Sequence, residues 1–294
     1  SSPFIHERVG RPDPENRIAF ISNRSGNWDI FTMTTDGSDL KSLTTNEAGD
    51  HFPRWIAGGT RLAFRSQRGR ADGGWDRWEI DLDGTDAAAA DLPARLNNPD
   101  VGMFPEVHPS GSYLVNAAER SGEQDIYVWR FDGGGERVVA PAPGLDYRPL
   151  FSPDGEHILF ISERDGNAEV YSVAFDGTDV RRLTRSAGID RYARWSPDGT
   201  KIGFVSDRDG DLEVFVMDAD GSDTRQLTFN EAEDGEISWS PDSQQLAFRS
   251  DTPGNGEIYI VDLETGAIKN LTNHEGYDGE PTWSPATAAH SPTP

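Results

Sequence analysis

Tyr192-Ala-Arg-Trp-Ser-Pro-Asp-Gly199, Lys201-Ile-Gly-Phe-Val-Ser206, Glu213-Val-Phe-Val-Met217 and Arg225-Gln-Leu-Thr228 follow one another closely. Each run is short and rich in β-branched or aromatic residues, the pattern of a strand. Between them stand Ser196-Pro-Asp-Gly199, Asp207-Arg-Asp-Gly-Asp211 and Asp218-Ala-Asp-Gly-Ser222. Pro fixes φ for a turn, Gly supplies positive φ and Asp caps the turn through its own carboxylate. The segment therefore reads as four strands joined by tight turns.

The unit recurs outward in both directions. Val107, Phe151, Trp195, Trp239 and Trp283 are spaced by 44 residues, and Trp55 precedes Val107 by 52. A fixed period near 44 is that of four-stranded propeller blades. Six second strands can be counted, at Ile18–Ser22, Leu62–Ser66, Leu114–Ala118, Ile158–Ser162, Ile202–Ser206 and Leu246–Ser250. Third strands open with an acid and a β-former, at Asp29, Glu79, Asp125, Glu169, Glu213 and Glu257. The N-terminal repeat lacks a first strand, whereas Glu280-Pro-Thr-Trp-Ser-Pro285 is a first strand with no followers. Joining the two removes a bare sheet edge. The expectation is an all-β, six-bladed β-propeller over residues 16–285. Residues 280–285 should close it on the N-terminal blade, between an arm (1–15) and a tail (286–294).

These residues resemble the PD40, or WD40-like, repeat of TolB-like propellers. The likeness rests on Asp190…Trp195-Ser-Pro-Asp-Gly199, Phe204-Val-Ser-Asp-Arg-Asp-Gly210, Glu213-Val-Phe215, Asp220-Gly221 and Leu227-Thr228. The signature Pro is Ala193 in this copy and is present as Pro53, Pro105, Pro149 and Pro281. The resemblance implies a fold used in periplasmic translocation, ahead of peptidase domains, in surface proteins and in sensors. The roughly 15 residues ahead of the first strand are fewer than the α/β domain that precedes the propeller in TolB itself would need.

Composition narrows the function. The 294 residues contain no Cys, which excludes disulfides and thiolate chemistry. The formal net charge of −24 repels nucleic acid and anionic membranes. No apolar run approaches the roughly 18 residues that span a bilayer. No Gly-x-Ser-x-Gly, His-Glu-x-x-His or phosphate loop occurs, and the six His are scattered over repeat positions.

Repeated residues read as architecture, and pattern breaks as candidates for function. Arg24, Arg68, Arg120, Arg164 and Arg208 recur, with Thr252 in the sixth place. They read as blade-to-blade ties, with the acid opening strand three as partner. Strand one begins at Asp50, Gly102, Asp146, Asp190, Asp234 and Asp278, which places five carboxylates near one mouth of the central channel. The next two positions vary: His51 and Phe52, Met103 and Phe104, Tyr147 and Arg148, Arg191 and Tyr192, Gly235 and Glu236, Gly279 and Glu280. Aromatic and Arg groups dominate binding hot spots. His51, Phe52, Met103, Phe104, Tyr147, Arg148, Arg191 and Tyr192 are therefore the expected ligand-binding residues. Trp75 and Trp78 join them from a Gly-rich insertion, Gly69–Trp78.

The reading is a non-catalytic, extracytoplasmic binding scaffold for a protein, peptide or glycan at the channel mouth. One alternative is a metal-assisted hydrolase or lyase in the channel. Another is self-assembly through the arm, anchored by Phe4 and Ile5. If an ion binds, oxygen-only ligands select Ca²⁺ or Mg²⁺, with Ca²⁺ the expected ion, at Asp234, Glu236, Asp278 and Glu280.

Overall fold

A computed structural model describes residues 16–85, 87–89, 106–120, 122–252 and 254–285. The terminal arm and tail, and the expected site residues Met103 and Phe104, lie outside them. The described chain is all-β, with one 3₁₀ turn at Ala57–Gly59. Six four-stranded antiparallel sheets are the blades of a six-bladed propeller.

The fifth blade shows the common plan. Its strands one to four are Asp190–Trp195, Lys201–Ser206, Glu213–Asp218 and Arg225–Gln226, paired in that order. The Ser-Pro-Asp-Gly turn closes with Gly199 N donating to Ser196 O at 2.9 Å, and Gly199 takes a φ of 72°. In the turn between strands three and four Ser222 N donates to Asp220 Oδ1 at 2.9 Å. That bond is the Asx cap that the Asp-Gly spacing implies.

The chain divides into two compact units. One comprises residues 1–90 and 274–294 and holds the first two blades. Its first blade combines both chain ends: Asp278–Trp283 pairs with Arg17–Ser22, followed by Asp29–Thr34 and Lys41–Ser42. The closing strand starts two residues before the expected 280–285, because Asp278 pairs opposite Ser22. Ser284 N donates to Arg17 O at 2.8 Å, and Arg17 N to Ser284 Oγ at 3.0 Å.

The second blade departs from the sequence reading. Its third strand is Asp76–Asp81, so Asp76, not Glu79, sits opposite Ser66. Trp78 is therefore a strand residue facing Phe64 across the ladder rather than part of the Gly-rich insertion. The Gly-rich run masked this register, since Gly69, Gly73 and Gly74 belong to the turn alone.

The other unit, residues 91–273, holds blades three to six. Within each unit the core lies between consecutive blades. Ala19, Ile21 and Ile30 of blade one pack with Leu62, Phe64 and Ile80 of blade two. Ile161 and Val170 of blade four pack with Ala193, Phe204 and Phe215 of blade five. Phe20, Phe64, Phe160, Phe204 and Phe248 occupy the same place in strand two and are fully buried. The third blade has buried Asn116 there, which accepts a hydrogen bond from Trp129 Nε1 at 2.7 Å. The strand-one Trp also ties blades: Trp55 Nε1 donates to Thr282 O at 2.9 Å, and Trp239 Nε1 to Arg194 O at 3.1 Å.

Candidate functional site

Strand one carries a bulge at the pattern-breaking pair. Pairing with strand two shifts between His51 and Arg54, Tyr147 and Leu150, Arg191 and Arg194, and Gly235 and Ser238. The second residue of each pair is left-handed: Phe52 (φ 56°), Arg148 (54°), Tyr192 (56°), Glu236 (54°) and Glu280 (52°). A side chain in that region costs about 1 kcal/mol or more. Bulges re-aim side chains away from the regular pleat. Here one backbone device recurs in five blades while the residues it displays differ in each.

In the first unit the device builds an aromatic group around an acid. Glu280 accepts a hydrogen bond from Phe52 N at 2.5 Å, and His51 Nδ1 lies 3.3 Å from its other oxygen. His51 also packs on Trp28, with ring centroids 5.2 Å apart, and edge-on against Trp75 at 5.3 Å. Tyr277 meets the Trp28 ring at 5.3 Å. Trp75 remains 38% exposed. Trp78 stands apart from this group, stacked beneath the Arg68 guanidinium at 4.6 Å. Sequence reasoning missed Trp28 and Tyr277. Both precede a repeated acid, Asp29 and Asp278, at places where blades four and five carry Ala168 and Leu212, or Leu145 and Ile189. The same search for pattern breaks, moved one residue earlier, finds them.

In the second unit blades four and five supply Tyr147, Arg148, Arg191 and Tyr192. The guanidinium carbons of Arg148 and Arg191 lie 4.5 and 5.4 Å from the centre of the Tyr192 ring. Tyr147 donates its hydroxyl to Glu163 at 3.3 Å. Burial and then Glu163 push the pKa of that hydroxyl up to about 12, so it stays protonated. Glu236, from blade six, has Arg249 Nε at 4.0 Å, and Arg249 also reaches Asp251 at 3.2 Å.

The repeated acids are enclosed. Asp50, Asp146, Asp190, Asp234 and Asp278 are all fully buried. Arg68 donates to Asp50 at 2.6 Å, Arg164 to Asp146 at 2.8 Å, Arg208 to Asp190 at 3.0 Å and Arg24 to Asp278 at 2.5 Å. In these four blades the repeated Arg therefore pairs with strand one of its own blade, not with the acid of strand three, whereas Arg120 of the third blade pairs with Glu136 at 3.4 Å. The reason is reach. The strand-two Ser accepts from the Arg Nε, as Ser206 does from Arg208 at 2.9 Å, and that fixes the guanidinium over the strand-one end. The strand-three acid instead accepts from the Thr of Leu-Thr: Asp29 from Thr44 at 3.1 Å, and Glu169, Glu213 and Glu257 from Thr184, Thr228 and Thr272.

Blades are joined by another route. Asn46 of blade one donates to Asp50 of blade two at 3.0 Å, and Asn230 of blade five to Asp234 of blade six at 2.7 Å. Among the described residues no group of three or more His, Asp or Glu side chains is placed to hold a metal ion. Of the four carboxylates expected to hold Ca²⁺, Asp278 binds Arg24, Asp234 binds Asn230, Glu280 binds Phe52 N, and Glu236 faces Arg249.

Comparison with known proteins agrees with this architecture. A family model described as "TolB beta propeller domain" matches residues 90–191. A protein TolB homolog of Chlorobium luteolum is 31% identical over 137 residues, which are 47% of this chain and 29% of that protein. The crystal structure of TolB from Acinetobacter baumannii superposes with a TM-score of 0.73 at 21% identity, covering 92% of this chain and 67% of that one. This chain is a six-bladed propeller that resembles the TolB propeller family over residues 90–191.

The Tol-Pal system protein TolB of Anaeromyxobacter dehalogenans is likewise 31% identical, over 46% of this chain and 29% of its own length. The chain thus spans less than a third of the curated relatives it matches. A puromycin hydrolase superposes more loosely, with a TM-score of 0.54 at 18% identity over 90% of this chain and 47% of that one. Likeness at that identity carries the fold and no chemistry.

Proposed function

We propose that this propeller is a non-catalytic, extracytoplasmic scaffold that recognises a protein through the side chains displayed on its strand-one bulges. One observation carries the reading. A backbone strained in the same way in five blades presents His51 and Phe52, Tyr147 and Arg148, Arg191 and Tyr192, Glu236 and Glu280, a different chemistry each time. Strain held by the surrounding fold, with the side chain left free to vary, suits recognition better than core packing. Relatives bearing the Tol-Pal system name support a protein partner and a location outside the cytoplasm. Among the described residues no helix is long and apolar enough to cross a membrane. A peptide segment of the partner is the natural probe for the Trp28, His51 and Trp75 face. Self-assembly through residues 1–15 would involve a segment outside the described residues. The test is capture of envelope proteins on the immobilised propeller, with wild type and bulge variants compared side by side. Loss of capture in the bulge variants alone supports the reading, and turnover in a hydrolase screen would replace it with an enzymatic one.

A further inference from the structure

Arg191 belongs to the minority of described arginines outside any ion pair in a chain of net charge −24. Acids outnumber bases 51 to 27, and most described Arg side chains sit against a carboxylate. Among the described residues Arg191 makes no ion pair, and its Nε is buried without a hydrogen-bond partner. It comes from blade five, and Arg148 from blade four stacks on the same Tyr192 ring. The positive charge of both opposes the upward shift of the Tyr147 hydroxyl. Two like charges on one ring repel each other, and the planar fork of each is shaped for a carboxylate. The bulges set the backbone of both displayed residues, with Arg148 and Tyr192 left-handed at φ 54° and 56°.

We propose that Tyr147, Arg148, Arg191 and Tyr192 form a receptor for a peptide carboxylate, shared by two guanidiniums stacked on one ring. The proposal rests on the scaffold reading above and names the chemistry recognised at this site. A carboxylate carries one charge against two, which the site accommodates. A phosphate dianion or a nucleic acid meets the long-range repulsion of a −24 chain and, nearby, the Glu163 carboxylate that accepts from Tyr147. The aromatic rings give the neighbouring apolar part of the peptide a surface to lie on.

The carboxylate could be a chain end or an acidic side chain, and three short peptides separate these sources. One is acetyl-Ala-Phe-Ala with a free C-terminus. The second is its C-terminal amide. The third is the amide of acetyl-Ala-Glu-Ala. Each is titrated into the full chain at constant ionic strength while the Arg Nε–Hε signals are followed by NMR. Arg148→Gln and Arg191→Gln identify the two signals, and thermal melts check that both variants fold. The proposal expects saturable shifts at those two signals with the free acid, the Glu peptide or both, and none with the neutral amide. Either substitution should weaken binding by about tenfold or more, and Arg191→Lys, which keeps the charge and loses the fork, by less. An equal response to the amide, unchanged affinity in both Gln variants, or the same shifts with inorganic phosphate or chloride would overturn it. The peptides replace any cellular partner, so the titration reads this site even if the scaffold captures nothing. A silent titration with intact capture would leave recognition to the Trp28, His51 and Trp75 face.

Discussion

Arg208 reaches both oxygens of Asp190, at 3.1 and 3.0 Å, and 44 residues further on Thr252 stands in the place of Arg208, opposite Asp234. The substitution is doubled. At the junction of blades four and five, Arg182 pairs with Glu169 at 2.7 Å; one repeat later Gln226 occupies that place and donates to Asp209 instead. Burial pushes the Glu169 carboxyl up, but the Thr184 hydroxyl, the Ser186 amide and Arg182 together hold it below its ordinary value. At the next junction Glu213 and Asp234 are just as buried and neither basic residue is present. Burial, followed by the charge of Asp234, raises the pKa of Glu213 to about 7.

A pH dependence follows. An acid whose folded pKa lies above its unfolded value of about 4.3 binds more protons when folded. The stability it contributes is complete below about pH 4.3 and is lost as pH rises through about 7. Raised Asp234 acts in the same direction. Glu213→Gln keeps the acceptor for Thr228 and gains a donor toward Asp234, while giving up the acceptor for Asn230 N. Urea unfolding at pH 5 and pH 8 should show the variant more stable than wild type at pH 8 and less dependent on pH. Parallel curves for the two proteins would count against a protonated acid at this junction.

Placing a base there should have the same effect from the other side. Thr252→Arg restores the partner that Arg208 gives Asp190, and the expected result is higher stability at pH 8 with little change at pH 5. Arg208→Met is the converse experiment. It leaves Asp190 buried and unpaired, at a cost of about 3 kcal/mol, read as a lower denaturation midpoint. A midpoint within error of wild type would mean that the pair is idle.

The closing strand should carry real stability. Trp283 is 7% exposed and faces Ile18 across the junction of the two chain ends. Trp283→Ala is expected to cost about 3 kcal/mol or more by thermal or urea unfolding. A loss under about 1 kcal/mol would show that the terminal strand is a loose addition.

The bulge makes a separate prediction about strain. Arg148 is exposed at φ 54°, a conformation that Gly adopts freely. Arg148→Gly should therefore leave stability unchanged or raise it by up to about 1 kcal/mol, although a charged side chain is lost. A clear destabilisation would mean that Arg148 acts in the fold rather than at its surface.

The fold was largely legible in the sequence because a 44-residue period repeats both turn chemistry and strand chemistry. Trp195, Trp239 and Trp283 fix that period, and the displaced strand at the C-terminus fixes the closure. Blade two was harder to read, since a Gly-rich turn shifts register without leaving a hydrophobic mark. The candidate site was legible as variation at residues 51–52, 147–148 and 191–192, but not as a bulge. Left-handed Phe52, Arg148 and Tyr192 carry no Gly or Asn signal, because tertiary packing imposes their backbone. The partner of the repeated Arg was misassigned because spacing alone allowed two acids. The Ser206 hydroxyl selects between them by holding Arg208 toward Asp190.

The most direct test of the scaffold reading compares capture by wild type, by Phe52→Gly with Tyr192→Gly, and by Asp220→Ala. The double variant removes two displayed side chains at positions where Gly suits the backbone. Asp220 is an exposed cap in a turn between strands three and four and serves as the control. Each protein is immobilised and exposed to the same native envelope extract, and bound proteins are quantified by mass spectrometry. The account predicts that wild type and Asp220→Ala retain the same protein and that the double variant, still folded by circular dichroism, loses it. Equal retention by all three would contradict it.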